Sequence, residues 1–206
     1  MFTVHHLNNS RSQRILWLLE ELELPYDLRR YERDAVTNLA PSELASVHPL
    51  GKSPVLEHEG RRIVESGAIV EYLCARHGRH MLPRVGSDEA ITHLELMHFA
   101  EGSAMTPILL ALYTRRLGEA AAPLGPRIEQ QLSSHFAYME QMLRPSGHFV
   151  LDDISAVDVM MSFPAEIAIA QGRGKAYPGL SAFVEMIHAR PAWLRALERG
   201  GAYSFA

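Results

Sequence analysis

Between His48 and Tyr72 the chain reads HPLGKSPVLEHEGRRIVESGAIVEY, and this stretch restricts the possible fold more than any other. Pro49, Gly51 and Pro54 stand so close together that no helix runs through them. Val55-Leu56-Glu57-His58 and Arg62-Ile63-Val64-Glu65 then read as two short strands joined by a tight turn at Glu59-Gly60-Arg61. Ser66 follows, placed to cap a helix that carries Ile69, Val70 and Leu73 on one side. A loop, a proline, a hairpin and a capped helix in immediate succession make the arrangement of a site.

The chemistry of such a site follows from its parts. A strand that begins at Pro54 leaves the main chain of Ser53 outside the sheet, so its N–H and C=O are free for an extended, peptide-like ligand. A cis Ser53–Pro54 bond would fix that presentation, and the sequence leaves the isomer open. Glu65-Ser66 at a helix N-terminus offers a hydroxyl, free N–H groups and the positive dipole end to a carboxylate, while the Glu65 side chain suits an ammonium group. An α-amino acid head carries both charges. An ordinary N-cap after an ordinary hairpin explains the same residues, and these residues alone do not separate the two readings.

From the start of the chain, Phe2 to Leu7 reads as a strand. Asn8-Asn9-Ser10 is turn-forming and able to cap. From Arg11 the pattern is helical, with Ile15, Leu18, Leu19 and Leu22 on one face, and it stops at Leu24-Pro25. Asn9 and Ser10 can aim an amide N–H or a hydroxyl at a thiolate, which lowers a thiol pKa by charge-assisted hydrogen bonding and the helix dipole. Helix capping alone is the competing account of both residues. Tyr26 to Tyr31 reads as a second strand and Pro41 to Val47 as a short helix. The order is then β-α-β-α-β-β-α, that of a thioredoxin-like α/β domain.

The second half changes character. Met81 to Asp88 holds a proline and a glycine among polar residues, and no strand pattern returns after it. The boundaries expected are a first domain over 1–82, a linker over 83–89 and an all-α helical domain over 90–206. Ser87 to Leu117 reads as a long helix that Pro107 kinks or breaks, Gly118 to Pro126 as a loop, and Arg127 to Leu143 as a further helix. Ser155-x-x-Asp158 is a capping box, with Ile154 and Val159 placed as its hydrophobic staple. Gly200 to Ala206 reads as a loose end.

Charge and cysteine content remove other classes of function. The net charge of −4 comes without a basic stripe interleaved with aromatics, so nucleic acid is not an expected partner. No apolar run approaches the ~20 residues that span a bilayer, and no basic-then-apolar leader opens the chain, so no membrane role is expected and the localisation is read as cytoplasmic. The eleven histidines show no paired ligand spacing, so no metal site is expected. The single cysteine, Cys74, lies on the helix after Ser66 as a small buried hydrophobe, and no Cys-x-x-Cys exists. Chemistry on an enzyme thiol is therefore disfavoured, and a reactive sulfur has to belong to the ligand.

Two linked motifs, His48-Pro49-Leu50-Gly51-Lys52-Ser53-Pro54 and Glu65-Ser66-Gly67-Ala68-Ile69-Val70-Glu71-Tyr72-Leu73, resemble the glutathione-binding half of the cytosolic glutathione transferases. The string Asn8-Asn9-Ser10-Arg11-Ser12-Gln13-Arg14 looks most like a bacterial and fungal subgroup with a Ser-Arg-Ser/Ala motif before the first helix, and His98 to Met105 resembles the corresponding helix of that subgroup. The resemblance spans essentially the whole chain. It implies a cis Pro54, with Ser53 pairing through its main chain with the cysteinyl part of glutathione. Glu65 and Ser66 would hold the γ-glutamyl head, with Lys52 and Arg11 also at the peptide. It places the thiol activator at Ser10 or, next in order, at Asn9, since the usual slot falls at Asn9. Met105, Ile108, Leu109 and Tyr113 would line the site of a hydrophobic co-substrate, although plain helix packing accounts for each of them as well. The implied activity is transfer of glutathione, as co-substrate, to a small hydrophobic electrophile by a homodimer. A glutathione-dependent peroxidase or reductase and a non-catalytic glutathione-binding protein are the alternatives.

Overall fold

The first strand is covered on both faces, buried at every position but Thr3. In the computed structural model, which describes residues 1–206, β1 is Phe2–Leu7, and Val4 within it is fully buried. With β2 (Tyr26–Tyr31), β3 (Val55–His58) and β4 (Arg61–Ile63) it forms a four-stranded sheet in the order β2-β1-β3-β4. β1 and β2 are parallel, as a helical crossover requires, whereas β1 with β3 and β3 with β4 are antiparallel. The helices α1 (Ser12–Glu21), α2 (Glu43–Val47) and α3 (Ser66–His77) complete the β-α-β-α-β-β-α order and the thioredoxin-like fold.

The hairpin is tighter than its sequence suggests. His58 pairs with Arg61, so the turn is the two residues Glu59 and Gly60, with φ of 50° and 75°. Positive φ at both positions matches the strand twist, and β4 therefore begins at Arg61 rather than Arg62. It also ends at Ile63, so Val64 and Glu65 are not strand. Ser66 is the first residue of α3 and not its cap. Glu65 occupies the cap position, with φ of 67° and no side-chain capping hydrogen bond.

The chain divides into two compact units, Met1–His80 together with Met186–Ala206, and Met81–Glu185. The expected helical body over 90–206 is thus split, and the division falls inside α8 (Pro178–His188). The physical reason is α9 (Pro191–Gly200), which packs on α1. Trp17 and Trp193 meet edge to face at 5.4 Å, and both are buried. Around them Glu21 pairs with Arg190, and Glu20 with Arg195 and Arg199 at 2.9 and 3.3 Å. Ile15 to Leu19 are all fully buried, more of α1 than one apolar stripe would cover, because α1 is covered on more than one side. The tail after α9 is not loose. Tyr203 is buried, its ring set edge-on to those of Trp193 and Phe205 at 6.0 and 5.3 Å, and Ala206 N–H closes a turn on Tyr203 C=O at 3.3 Å.

The second unit is helical. α4 (Asp88–Phe99) and α5 (Met105–Thr114) are joined by a π-helical turn over Ala100–Ala104. The break comes before Pro107 because proline has no N–H for the Ser103 carbonyl and its ring crowds that oxygen, and a widened turn relieves both. Gly118, with φ of 55°, interrupts the 3-10 turns between Arg115 and Leu124, and α6 (Gly125–Met142) starts inside the expected loop. At the start of α7 (Ala156–Ala170) the capping box forms as its spacing predicts. Asp158 accepts from Ser155 N and Oγ at 2.7 and 2.5 Å and from Phe149 N at 3.0 Å, all in a fully buried setting.

Removing those acceptors strands several buried donors, so Asp158→Ala is expected to cost on the order of 3 kcal/mol, and Asp158→Asn less because one acceptor oxygen remains. Urea unfolding followed by far-ultraviolet circular dichroism checks this, and equal stability of Asp158→Ala and the unaltered chain would refute it.

Candidate functional site

Strand register brings three turns into a row at one end of the sheet. β1 pairs with β3 through His5 and Val55, and the same register carried onward sets Leu7 across from Ser53. The contact is made there, with Ser53 Oγ accepting from Leu7 N at 3.1 Å and donating to His5 O at 2.8 Å. β3 pairs with β4 through Leu56 and Ile63, and that register carried onward sets Pro54 across from Glu65. The loop after Leu7, the Ser53–Pro54 turn and the Glu65–Ser66 corner are therefore neighbours. The Ser53–Pro54 peptide is cis. Since the ladder stops at Val55 and the Ser53 hydroxyl is spent on β1, Ser53 has its main-chain N–H and C=O left to offer a ligand.

The Glu65–Ser66 corner is prepared for opposite charges. A non-glycine residue in the left-handed region costs about 1 kcal/mol, and such strain gathers where a side chain must be held in one direction. Glu65 is exposed and its carboxylate has no ion-pair partner in the chain. Ser66 is buried, its hydroxyl makes no hydrogen bond within the protein, and the first N–H groups of α3 point the same way. Lys52 is exposed and unpaired, while Arg11 is half-buried at the entrance to α1.

The loop from Asn8 to Ser12 divides its labour. Asn8 is an anchor: its N–H donates to Tyr31 O at 3.1 Å, and its Oδ1 accepts from Arg33 N at 2.8 Å. Ser10 is 6% exposed, donates to Leu7 O at 2.8 Å, lies 2.8 Å from Ser12 Oγ and accepts from Ser12 N, the first N–H of α1, at 3.3 Å. Ser12 Oγ lies 2.8 Å from His6 Nδ1. Burial pushes the His6 pKa down to about 4, with a hydrogen bond to the Gly200 carbonyl opposing and Arg30 adding to the fall. His6 is therefore neutral near pH 7. Its single ring N–H serves Gly200, so Nδ1 accepts and Ser12 donates to it. The hydroxyl hydrogens of Ser10 and Ser12 are all committed inside the protein.

The NH2 groups of Asn8 and Asn9 make no hydrogen bond within the protein. Asn9 sits at φ of 49°, a region asparagine tolerates, and is half-buried. Its Oδ1 accepts from Ser204 N at 2.7 Å, so its NH2 group faces the other way with both hydrogens unspent. Sequence reasoning found the loop but missed His6, Ser12, Gly200 and Ser204. The spacing of hydroxyls at Ser10 and Ser12 was the one local signal, and nothing in the sequence ties Ser204 to a residue 195 positions away.

The remaining expected positions lie apart from these three turns in sequence. Met105 and Ile108 are buried, Leu109 is half-buried and Tyr113 is exposed, so the last two carry accessible apolar surface. Cys74 is fully buried, and burial, with Glu71 adding, pushes its thiol up to about 12, which leaves essentially no thiolate at neutral pH. No group of three or more His, Cys, Asp or Glu side chains is arranged to hold a metal ion, and no helix is long and apolar enough to cross a membrane.

Comparison with known proteins bears on the family and the fold. A family model described as the N-terminal domain of glutathione S-transferase matches residues 2–75. Glutathione S-transferase 3 of Schizosaccharomyces pombe is 31% identical over 97% of this chain and 88% of its own length. Glutathione S-transferase 1 of Saccharomyces cerevisiae is 29% identical over 97% of this chain and 95% of its own. Among solved structures, a glutathione S-transferase from Actinobacillus pleuropneumoniae superposes with a TM-score of 0.91 at 30% identity, covering 99% of this chain and 94% of that one. A sphingomonad glutathione S-transferase complexed with glutathione shares the fold, with a TM-score of 0.77 at 20% identity over 97% of this chain and 98% of that one.

The His6 setting has a pH signature. Its folded pKa lies below its unfolded value of 6.5, so the unfolded chain binds the extra proton between the two. The stabilisation is complete above pH 6.5, shrinks as pH falls toward 4, and amounts to a loss of order 3 kcal/mol. His6→Gln should flatten this dependence, while His5, also lowered by burial with Glu57 opposing, keeps a smaller slope of the same sign. Urea unfolding at pH 7 and pH 4.5, read by the fluorescence of Trp17 and Trp193, checks it. The same fall in both proteins would refute the assignment.

Proposed function

The chain belongs to the glutathione S-transferase family, and from that premise we propose that it binds glutathione along the row of turns and joins its sulfur to a small hydrophobic electrophile. The cysteinyl unit pairs with the Ser53 main chain beside Pro54. Glu65 takes the ammonium of the γ-glutamyl head, and the Ser66 hydroxyl with the first N–H groups of α3 takes its carboxylate. Lys52 and Arg11 supply positive charge toward the peptide. An Asn9 N–H donates to the thiolate. The observation that carries this reading is the unspent NH2 of Asn9, in the position the family resemblance gives to the thiol activator, beside a Ser10 whose hydrogen is already committed.

A charge-assisted hydrogen bond of about 2 kcal/mol lowers a thiol pKa by roughly one to two units, which brings a group near 8.5 to neutral pH. The thiolate then attacks the electrophilic carbon. A new S–C bond forms, and either a leaving group departs with its electron pair or the adduct takes up a proton. Holding both partners in one site supplies the rest of the acceleration. A homodimer belongs to the same reading, and sedimentation of the purified chain checks it.

Titrating bound glutathione by thiolate absorbance tests the proposal. The unaltered chain should lower the thiol pKa. Asn9→Ala should raise it by about one unit or more and cut kcat on an aryl halide roughly tenfold, whereas Ser10→Ala should act mainly on stability. Binding without a lowered pKa would mean a binding protein, and faster turnover of a hydroperoxide or disulfide than of an aryl halide would mean a peroxidase or reductase. A raised pKa in Ser10→Ala but not in Asn9→Ala would move the donor to Ser10.

A further inference from the structure

An asparagine amide has a soft terminal torsion, so either its oxygen or its nitrogen can face a ligand unless something chooses. Here the choice is made by the end of the chain. The Ser204 main-chain N–H can only donate, so at 2.7 Å it draws Oδ1 of Asn9 to itself and turns the NH2 group outward. The reversed amide would set two N–H groups against one and offer an oxygen lone pair to a thiolate.

The turn bearing Ser204 is held firmly enough to impose that choice. Ala206 N–H closes it on Tyr203 C=O, and buried Tyr203 rests its ring edge-on to Trp193, which packs on Trp17 of α1. A second tie lies a few residues earlier, where the Gly200 carbonyl receives the His6 N–H; His6 in turn accepts from Ser12 Oγ, and the Ser12 N–H donates to Ser10 Oγ. Gly200 is glycine for want of room: a Cβ there would meet Gln13 Oε1 at 2.6 Å and Leu16 Cδ1 at 3.1 Å. At Gly201 the chain turns with φ of 88°, which glycine permits, toward Asn9.

We propose that the C-terminal turn Tyr203–Ala206 is a positioning element for thiolate formation, with the Ser204 N–H fixing the side chain of Asn9 so that its NH2 meets the ligand sulfur. Ser204 touches neither substrate and acts through Asn9. The inference rests on the reading above, in which Asn9 is the thiolate donor.

Position 204 is the second residue of a four-residue turn, a place where proline fits, so Ser204→Pro removes the N–H while suiting the backbone, and Ser204→Ala keeps it. Both are made in the full chain, alone and with Asn9→Ala, and the thiol pKa of bound glutathione is measured together with kcat and KM. Ser204→Ala should match the unaltered chain. Ser204→Pro should raise the thiol pKa and lower kcat about 3- to 10-fold with the KM for glutathione nearly unchanged, and should add nothing once Asn9 is alanine. A chain ending at Tyr203 lacks the same N–H without imposing a proline, and it should show the same pKa shift. A normal thiol pKa in Ser204→Pro and in the shortened chain would overturn the proposal, as would an equal loss in the Asn9→Ala background, which would mean general loosening. If Asn9→Ala alone leaves the thiol pKa unchanged, it is the Asn9 reading that fails.

Discussion

The packing of α9 against α1 is the contact on which the first unit depends. Two tryptophans meet edge to face at its centre, and burying aromatic surface of that size stabilises far more than the ion pairs beside it. The ion pairs set direction instead. Glu20 and Glu21 at the end of α1 meet Arg190, Arg195 and Arg199, and the Arg199 guanidinium also lies over the Tyr26 ring at 3.6 Å. With both rotation and slide of α9 restricted, its last residue reaches β1 and the tail reaches the loop after β1.

That placement makes a polar problem and answers it. His6, Ser10 and Ser12 are buried at the joint between strand, loop and helix, where unpaired polar groups would be costly. The Ser12 N–H donates to Ser10 Oγ and the Ser12 hydroxyl to His6, and the series ends on main-chain carbonyls at Leu7 and Gly200. A loop anchored this way leaves the NH2 groups of Asn8 and Asn9 unspent. Asn8 is tied through its N–H and Oδ1 to Tyr31 and Arg33, Ser10 to the helix start and Ser12 to His6, and in the reading proposed above it is Asn9 that meets the ligand.

Much of this was legible in the chain. The hairpin, the three helices of the first unit, the change to all-helical structure and the capping box all have local signatures in glycine, proline and apolar spacing. So did the corner at Glu65–Ser66 and the Ser53–Pro54 turn. Boundaries shifted where backbone geometry overruled composition: the left-handed Glu59–Gly60 turn moved the start of β4, and Glu65, itself left-handed, took the cap position and put Ser66 inside α3. Roles stay with proposal where two neighbours of similar chemistry compete: the chain alone ranks Ser10 before Asn9, and their hydrogen-bond partners are the ground for proposing the reverse order.

Propensity, turn chemistry and motif spacing act over a few residues and survive as pattern, so the order of elements in the first unit, its fold and the family could be read from the chain. The tertiary structure alone decided that the end of the chain returns to the first unit, that Ser10 is occupied and that Asn9 is held with its NH2 outward. The first and last of those outcomes depend on contacts and hydrogen bonds between residues nearly the full length of the chain apart, whereas the occupation of Ser10 is settled by local hydroxyl geometry with Leu7 and Ser12. Such long-range bonds leave no periodicity, and a main-chain N–H donor such as that of Ser204 leaves no residue type to read.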